Sequence, residues 1–144
     1  MPVMYLDSPS GTFSEDSLNA LVENMTSIAL KLEKIPETSF TRSMVWIYVS
    51  EFDPQMVYHA GRPGGTKLIN LQINLVEGNY DDDRKKELIS ELTQAIAKAA
   101  GIAGEKLITI SIILRECRAV NWGLGGAPID VDALKHQGAN PPVI

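Results

Sequence analysis

Pro2 stands directly behind the initiator methionine. A small penultimate residue lets that methionine be removed, and the chain then begins with a secondary amine. An α-amine titrates near ~7.7–8.0, and proline's is intrinsically somewhat more basic. Burial beside apolar groups and cations disfavours its charged form. A neutral amine at physiological pH can take a proton from a carbon next to a carbonyl and return it elsewhere. The pyrrolidine ring also restricts the chain end. If Met1 stays, the same nitrogen is an amide and this chemistry is closed. As a bare residue type, a proline at the start of a strand is unremarkable.

The other reactive residue types are sparse. His59 and His136 are the only histidines and lie far apart, with no partner at ligand spacing, so a zinc site is not expected. Cys117 is the only cysteine, which excludes an intrachain disulfide and a thiolate metal cage. It reads as a buried small side chain rather than a nucleophile, and His59 reads as a surface-loop residue. The glycines at 123, 125 and 126 lack the strand-then-helix context of a phosphate loop. No cofactor and no metal are therefore expected. The formal net charge is -5 and no Lys/Arg block stands out, which argues against nucleic acid and anionic membranes as partners. The start MPVMYLDSPSG lacks the basic head and apolar run of a signal peptide. No stretch is apolar enough to span a bilayer, and a cytoplasmic location is the expectation.

The elements that would position Pro2 read as two copies of one unit. Pro2 to Asp7 is a short apolar strand ending at Ser-Pro-Ser-Gly. Ser14 caps a helix whose first turn carries Glu15 and Asp16, favoured at its positive end. Leu18, Leu21, Val22, Met25, Ala29 and Leu32 recur at helical spacing, and Pro36 ends the run. Met44 to Val49 is a strong β run. The order then repeats: a strand over Leu68–Val76, a helix opening at Asp81–Asp83 with Leu88, Leu92 and Ile96 on its apolar stripe, a C-cap at Gly101, and a strand over Leu107–Leu114. Corresponding points lie roughly 65 to 68 positions apart, the mark of an internal duplication. Residues 1–144 thus read as one domain of two repeats, about 2–65 and 66–130, with a tail over 131–144.

Each strand-helix-strand crossover makes its strands parallel. The expected class is α+β: two tandem β-α-β units forming a four-stranded sheet with two helices on one face. By alternation, Val45, Ile47 and Val49 face the helices, as do Ile108, Ile110, Ile112 and Leu114. Arg42, Met44, Trp46 and Tyr48 share the opposite face, with Thr109, Ser111, Ile113 and Arg115. That mixed, aromatic face suits burial against other subunits or the wall of a pocket. Arg42 or Arg115 on it can hold a carboxylate bidentately. Tyr48 is a candidate general acid. Arg118, before the glycine-rich segment, and Arg62 are further cations with a solvated reading beside the functional one. Asn121 can donate to a carbonyl or serve a turn, and Trp122 can wall a pocket or pack at a subunit contact.

Met1-Pro2-Val3 resembles the start of the tautomerase superfamily, whose members use an N-terminal proline. Asn121-Trp122-Gly123-Leu124-Gly125-Gly126 resembles the C-terminal hairpin of 4-oxalocrotonate tautomerase-like proteins. Gln72-Ile73-Asn74-Leu75-Val76-Glu77-Gly78 is similar to that family's first strand and turn. The resemblance spans roughly residues 2 to 130. It implies a homotrimer of fused units, Pro2 as the catalytic acid–base, and small unsaturated keto or hydroxy carboxylates as substrates. The implied activity is that of a tautomerase or isomerase. Hydration, dehalogenation or decarboxylation on the same scaffold is the alternative, and a non-catalytic binding trimer a further one. The sequence departs from the simple pattern in its arginines. The one after the first turn falls on Thr12 and Asn79, and the one on the closing strand falls on Trp46 and Ser111. The pair of the haloacrylate dehalogenases is replaced by Val76 and Asn79.

Overall fold

The computed structural model describes residues 2–130 and Asp132, so the tail expected over 131–144 lies, Asp132 apart, outside the described residues, as does Met1. Strand β1 runs Val3–Pro9 and leads into helix α1, Glu15–Glu33. The α1 start is a capping box. Ser14 Oγ accepts from the Ser17 N–H, and Ser17 Oγ accepts from the Ser14 N–H, satisfying two donors that a helix start leaves orphaned. The helix closes at Lys34, in the left-handed conformation at φ 58°. A second, short helix α2, Ser39–Ser43, precedes strand β2, Trp46–Phe52. A 3-10 turn at Pro54–Met56 then enters a small hairpin of β3, Tyr58–His59, and β4, Arg62–Pro63.

The second half follows the same plan. Strand β5 is Ile69–Val76, helix α3 is Asp82–Ala100 and strand β6 is Ile110–Cys117. Asp81 caps α3 by accepting from the Arg84 backbone N–H and side chain, which hold its carboxyl below the usual carboxylate range. Gly101 closes α3 at φ 66°, a conformation that costs glycine nothing. A 3-10 turn at Ala119–Asn121 enters the hairpin of β7, Gly123–Leu124, and β8, Ala127–Pro128.

The four long strands form one sheet in the order β2-β1-β5-β6. Strands β1 and β2 pair in parallel, as do β5 and β6, while β1 and β5 pair antiparallel at the centre. Helices α1 and α3 cover one face. Met4 and Leu6 of β1, and Ile69, Leu71, Ile73 and Leu75 of β5, meet Met25 of α1 and Leu88, Leu92 and Ile96 of α3 in the core. This is the expected α+β arrangement, two helices on one side of a four-stranded sheet.

Bonds across the two units tie the helix layer. Tyr80 donates its buried hydroxyl to the Ala29 carbonyl at 3.1 Å, and Asn79 donates to Glu33 at 2.8 Å. Lys31 pairs with Glu91 at 2.5 Å. Burial, with the Glu33 charge nearby, pushes the Tyr80 phenol well above its ordinary range, so it stays a neutral donor.

Four local readings of the sequence are corrected. Arg42 is not on a strand: it lies in α2, whose start is a Thr38–Thr41 capping box. Met44 follows α2 and is buried with Val76 and Ile129, not displayed on the open face. The last strand begins at Ile110, because residues 104–109 form a 3-10 turn. Ile108 is therefore 91% exposed instead of facing the helices. Val49, on the outer strand β2, is likewise exposed, whereas Val45 and Ile47 pack on the core.

Leu92 has no exposed surface and sits in the shared core. Leu92→Ala is expected to lower the unfolding free energy by about 2–5 kcal/mol. Ser14→Ala, which removes one cap bond, should cost about 1 kcal/mol. Denaturant titration followed by circular dichroism checks both, and similar losses for the two variants would count against this core.

Candidate functional site

The sheet face away from the helices is open within the chain, and its side chains follow the strand register. Tyr5 of β1 stands opposite Tyr48 of β2 and Gln72 of β5, and Gln72 stands opposite Ile113 of β6. The Tyr5 and Tyr48 rings stack, with centroids 5.3 Å apart and planes 12° from parallel. One row nearer the chain start, Trp46, Val3, Asn74 and Arg115 are successive partners. Trp46 donates its indole N–H to the Ser43 carbonyl at 3.1 Å, which sets the ring against the end of α2.

A pocket of about 430 Å³ opens at this end of the face. Its floor is Val3 and Tyr5 of β1 with Asn74 of β5. Trp46 and Tyr48 form one wall. Asn121, Trp122 and Gly123, from the turn and hairpin after β6, form the other, with Cys117 at its base. The β7–β8 hairpin turns through Gly125 and Gly126, at φ 61° and 87°, the mirror-image turn that matches strand twist. Trp122 is held by the Ile129 N–H bond to its carbonyl and packs on Met44, Val76 and Ile129. Asn121 donates its backbone N–H to the Arg118 carbonyl at 2.8 Å, which leaves its side-chain amide on the pocket wall.

Pro2 stands immediately before Val3, at the head of β1. Its side chain is buried, and its carbonyl accepts from the Trp46 N–H at 3.3 Å. The head of the first unit and the hairpin of the second thus meet at one pocket. Four of its lining side chains are aromatic and two are primary amides. Such a site excludes water from a flat ligand and offers neutral donors to a carbonyl or carboxylate oxygen.

The structure brings Tyr48, Asn121 and Trp122 together in one pocket, whose lining reaches Val3, the residue after Pro2. Arg115 is exposed on the open face, in register with Asn74, and Arg118 is exposed just before the hairpin. Among the described residues neither has an acidic partner. Arg42 is not brought to the pocket. Its guanidinium joins Glu23 of α1 and Glu37, and the bond to Glu37 is the main reason its charge is held even more firmly than usual. Cys117, expected as a buried small side chain, is half-buried and lines the pocket. Val3, Tyr5 and Asn74 escaped the sequence reading. Alternation on β1 was the available signal, since Val3 and Tyr5 share the face opposite Met4 and Leu6.

The two positions after the first turns, where the resemblance leads one to expect arginine, are used internally. Thr12 is buried and donates its hydroxyl to the Pro9 carbonyl at 2.6 Å, closing the first turn. Asn79 holds Glu33. No group of three or more His, Cys, Asp or Glu side chains suited to a metal ion occurs among the described residues. No helix among them is long and apolar enough to cross a membrane.

Residues 70–131 match the model of a family described as tautomerase enzyme. No curated protein matches the chain. The structure of native fused 4-OT is similar at a TM-score of 0.74 and 17% identity, covering 88% of this chain and 94% of that one. A fused 4-OT wild-type asymmetric trimer is similar at 0.75 and 20% identity, again covering 88% and 94%. A member of the cis-3-chloroacrylic acid dehalogenase family gives 0.73 and 14%, covering 89% and 83%. At these identities the likeness to solved structures is one of fold.

Proposed function

We propose that this chain, a tautomerase-superfamily protein with the fused 4-OT fold, is an isomerase that moves a proton through Pro2 on a small unsaturated keto or hydroxy carboxylate. The observation that carries the reading is the pocket at the head of β1, walled by the Asn121–Gly123 segment of the other unit. In the working enzyme Met1 is removed and the Pro2 nitrogen is a free secondary amine. Buried surroundings disfavour its charged form, so the neutral amine is available as base. It takes a proton from the carbon next to the substrate carbonyl, and electron density moves onto the carbonyl oxygen. The amide of Asn121 or Asn74 donates to that oxygen. The same nitrogen, now protonated, returns the proton to a different carbon of the conjugated system, and the amine is regenerated.

The aromatic walls, Tyr5, Trp46, Tyr48 and Trp122, keep water from the dienolate and hold it flat. Tyr48 is the available hydroxyl at the far wall. Arg115, in register with Asn74, and Arg118, just before the hairpin, are the cations to which the carboxylate is drawn. The working form is a homotrimer, the assembly named for the fused 4-OT structures. Its driving force is the open face itself, where Tyr48 and Ile113 are left at 51% and 41% exposed.

Pro2→Ala keeps a free amine but alters its basicity and freedom, and should lower kcat about 10²–10⁴-fold with the fold intact. Blocking the amine by alkylation, or retaining Met1, should abolish turnover more completely. The pH–rate profile should show an ionisation at or below the free-amine range that Pro2→Ala displaces. Phenylenolpyruvate, 2-hydroxymuconate and haloacrylates are the substrates to screen, with intact mass reporting on Met1. Equal turnover by the Met1-retaining protein, or turnover of haloacrylates alone, would sink the isomerase reading.

Arg115→Ala should reduce kcat/KM about tenfold to a hundredfold, the size of a lost charge-assisted contact. Arg42→Ala should leave kcat/KM unchanged, because that guanidinium is engaged by Glu23 and Glu37. If Arg115→Ala is silent, the carboxylate is held elsewhere and Arg118→Ala is the next measurement.

Light scattering at micromolar concentration should give about three times the chain mass, as closed cyclic symmetry requires. A monodisperse monomer would refute the trimer.

A further inference from the structure

A second cavity, about 480 Å³, opens at the other end of the same sheet face, beneath the β3–β4 hairpin. It is the counterpart of the Pro2 pocket under the internal repeat. In the β1–β5 register, Val3 pairs with Asn74 and Asp7 pairs with Asn70, on either side of the central Tyr5–Gln72 pair. Exchange of the two units therefore carries Asn74 onto Asp7, Val3 onto Asn70 and Trp46 onto Ser111. The hairpin residues Asn121 and Trp122 go onto Met56 and Val57. The cavity is built from Asp7, Asn70 and Ser111, with Phe52, Met56 and Val57 among its apolar walls.

The exchange inverts the chemistry. The neutral amide of the first pocket becomes a carboxylate in the second. Asp7 is the only charged side chain lining the cavity among the described residues; no Lys, Arg or His lines it. One Asp7 oxygen accepts from the Asn70 amide at 3.1 Å, and a carboxylate has further acceptor sites to offer. Ser8, also in the lining, is 1% exposed, and its hydroxyl oxygen is buried with no hydrogen-bond partner. By alternation on β1, Ser8 shares the helix-side face with Met4 and Leu6, so Asp7 supplies the polar group that β1 turns to the cavity. Catalysis of the Pro2 kind is closed here, because Ile69 heads β5 in mid-chain and its nitrogen is in a peptide bond with Leu68.

We propose that this cavity is a second ligand site, which takes a small primary amine with an apolar or aromatic body. The ammonium group pairs with Asp7, and Phe52, Met56 and Val57 enclose the body. The assignment stands on the cavity alone and does not require Pro2 to be catalytic.

Isothermal titration of the full chain with 2-phenylethylamine tests it. One molecule should bind per chain, and 2-phenylethanol, the same body without charge, should bind at least about tenfold more weakly. Asp7→Asn should weaken the amine by about tenfold or more. Val57→Trp, which fills the cavity with the ring found at the equivalent place in the other pocket, should abolish binding. Trp122→Ala, at the Pro2 pocket, should leave it unchanged. Melting curves establish that each variant is folded, and if Val57→Trp is not, Asp7→Asn decides by itself. The proposal fails if no heat is seen at millimolar amine, if 2-phenylethanol binds equally, or if affinity survives Asp7→Asn. It fails as well if Trp122→Ala is the variant that loses the amine.

Discussion

The antiparallel pairing of β1 with β5 is the constraint on which the rest of the structure depends. Within each unit the strands are parallel, so a helix must carry the chain back, and the crossover hand decides the face it takes. Joining two such units through one antiparallel pair relates them by an approximate two-fold rotation normal to the sheet. That rotation keeps both helices on the same side. The core between sheet and helices is then continuous, from Met4 and Leu6 through Leu71 and Ile73 to Leu92 and Ile96. The same rotation leaves the opposite face bare and sends the two hairpins to its two ends.

Side chains near the turns secure this arrangement. Thr12 and Asn79 occupy corresponding places after the first strand of each unit, and both are spent on internal bonds. Thr12 closes its own turn, while Asn79 reaches across to Glu33 at the end of α1. Tyr80 and Lys31 add further bonds between the helix layer's two halves. Thr12, Asn79 and Tyr80 are neutral donors, given to the Pro9 carbonyl, the Glu33 carboxylate and the Ala29 carbonyl. Neutral donors suit that task. A guanidinium in such a buried place would need its own counter-charge.

The two ends of the open face show how far duplicated units have diverged while the backbone stayed alike. One end is walled by four aromatic rings and two amides, and the other mixes Phe52 and Tyr58 with aliphatic side chains around a carboxylate. A pocket's chemistry thus rests on a few exchanged side chains, Asn74 for Asp7 and Trp122 for Val57, on a frame whose strands, helices and hairpins recur in the same order.

The periodicities of the sequence determined the two strand-helix-strand units, their caps at Ser14 and Gly101, and the sorting of Leu21, Met25, Leu88 and Leu92 into a core. Those signals are local, because a strand or helix is set by apolar spacing over a few residues. That Asn121 and Trp122 share a pocket with the start of β1 was legible only through a family resemblance. The tertiary structure decided what lies far apart in the chain. Tyr5 and Asn74 join that pocket through strand register, and Asp7, Asn70 and Ser111 converge on a second one. It also withdrew Arg42. The residues after Pro36 form a capped turn of helix, and the guanidinium folds back onto Glu23 and Glu37. Alternation along a strand has meaning only where a strand exists. Where it begins is set by tertiary packing, here of α2 against α1, which no local pattern records.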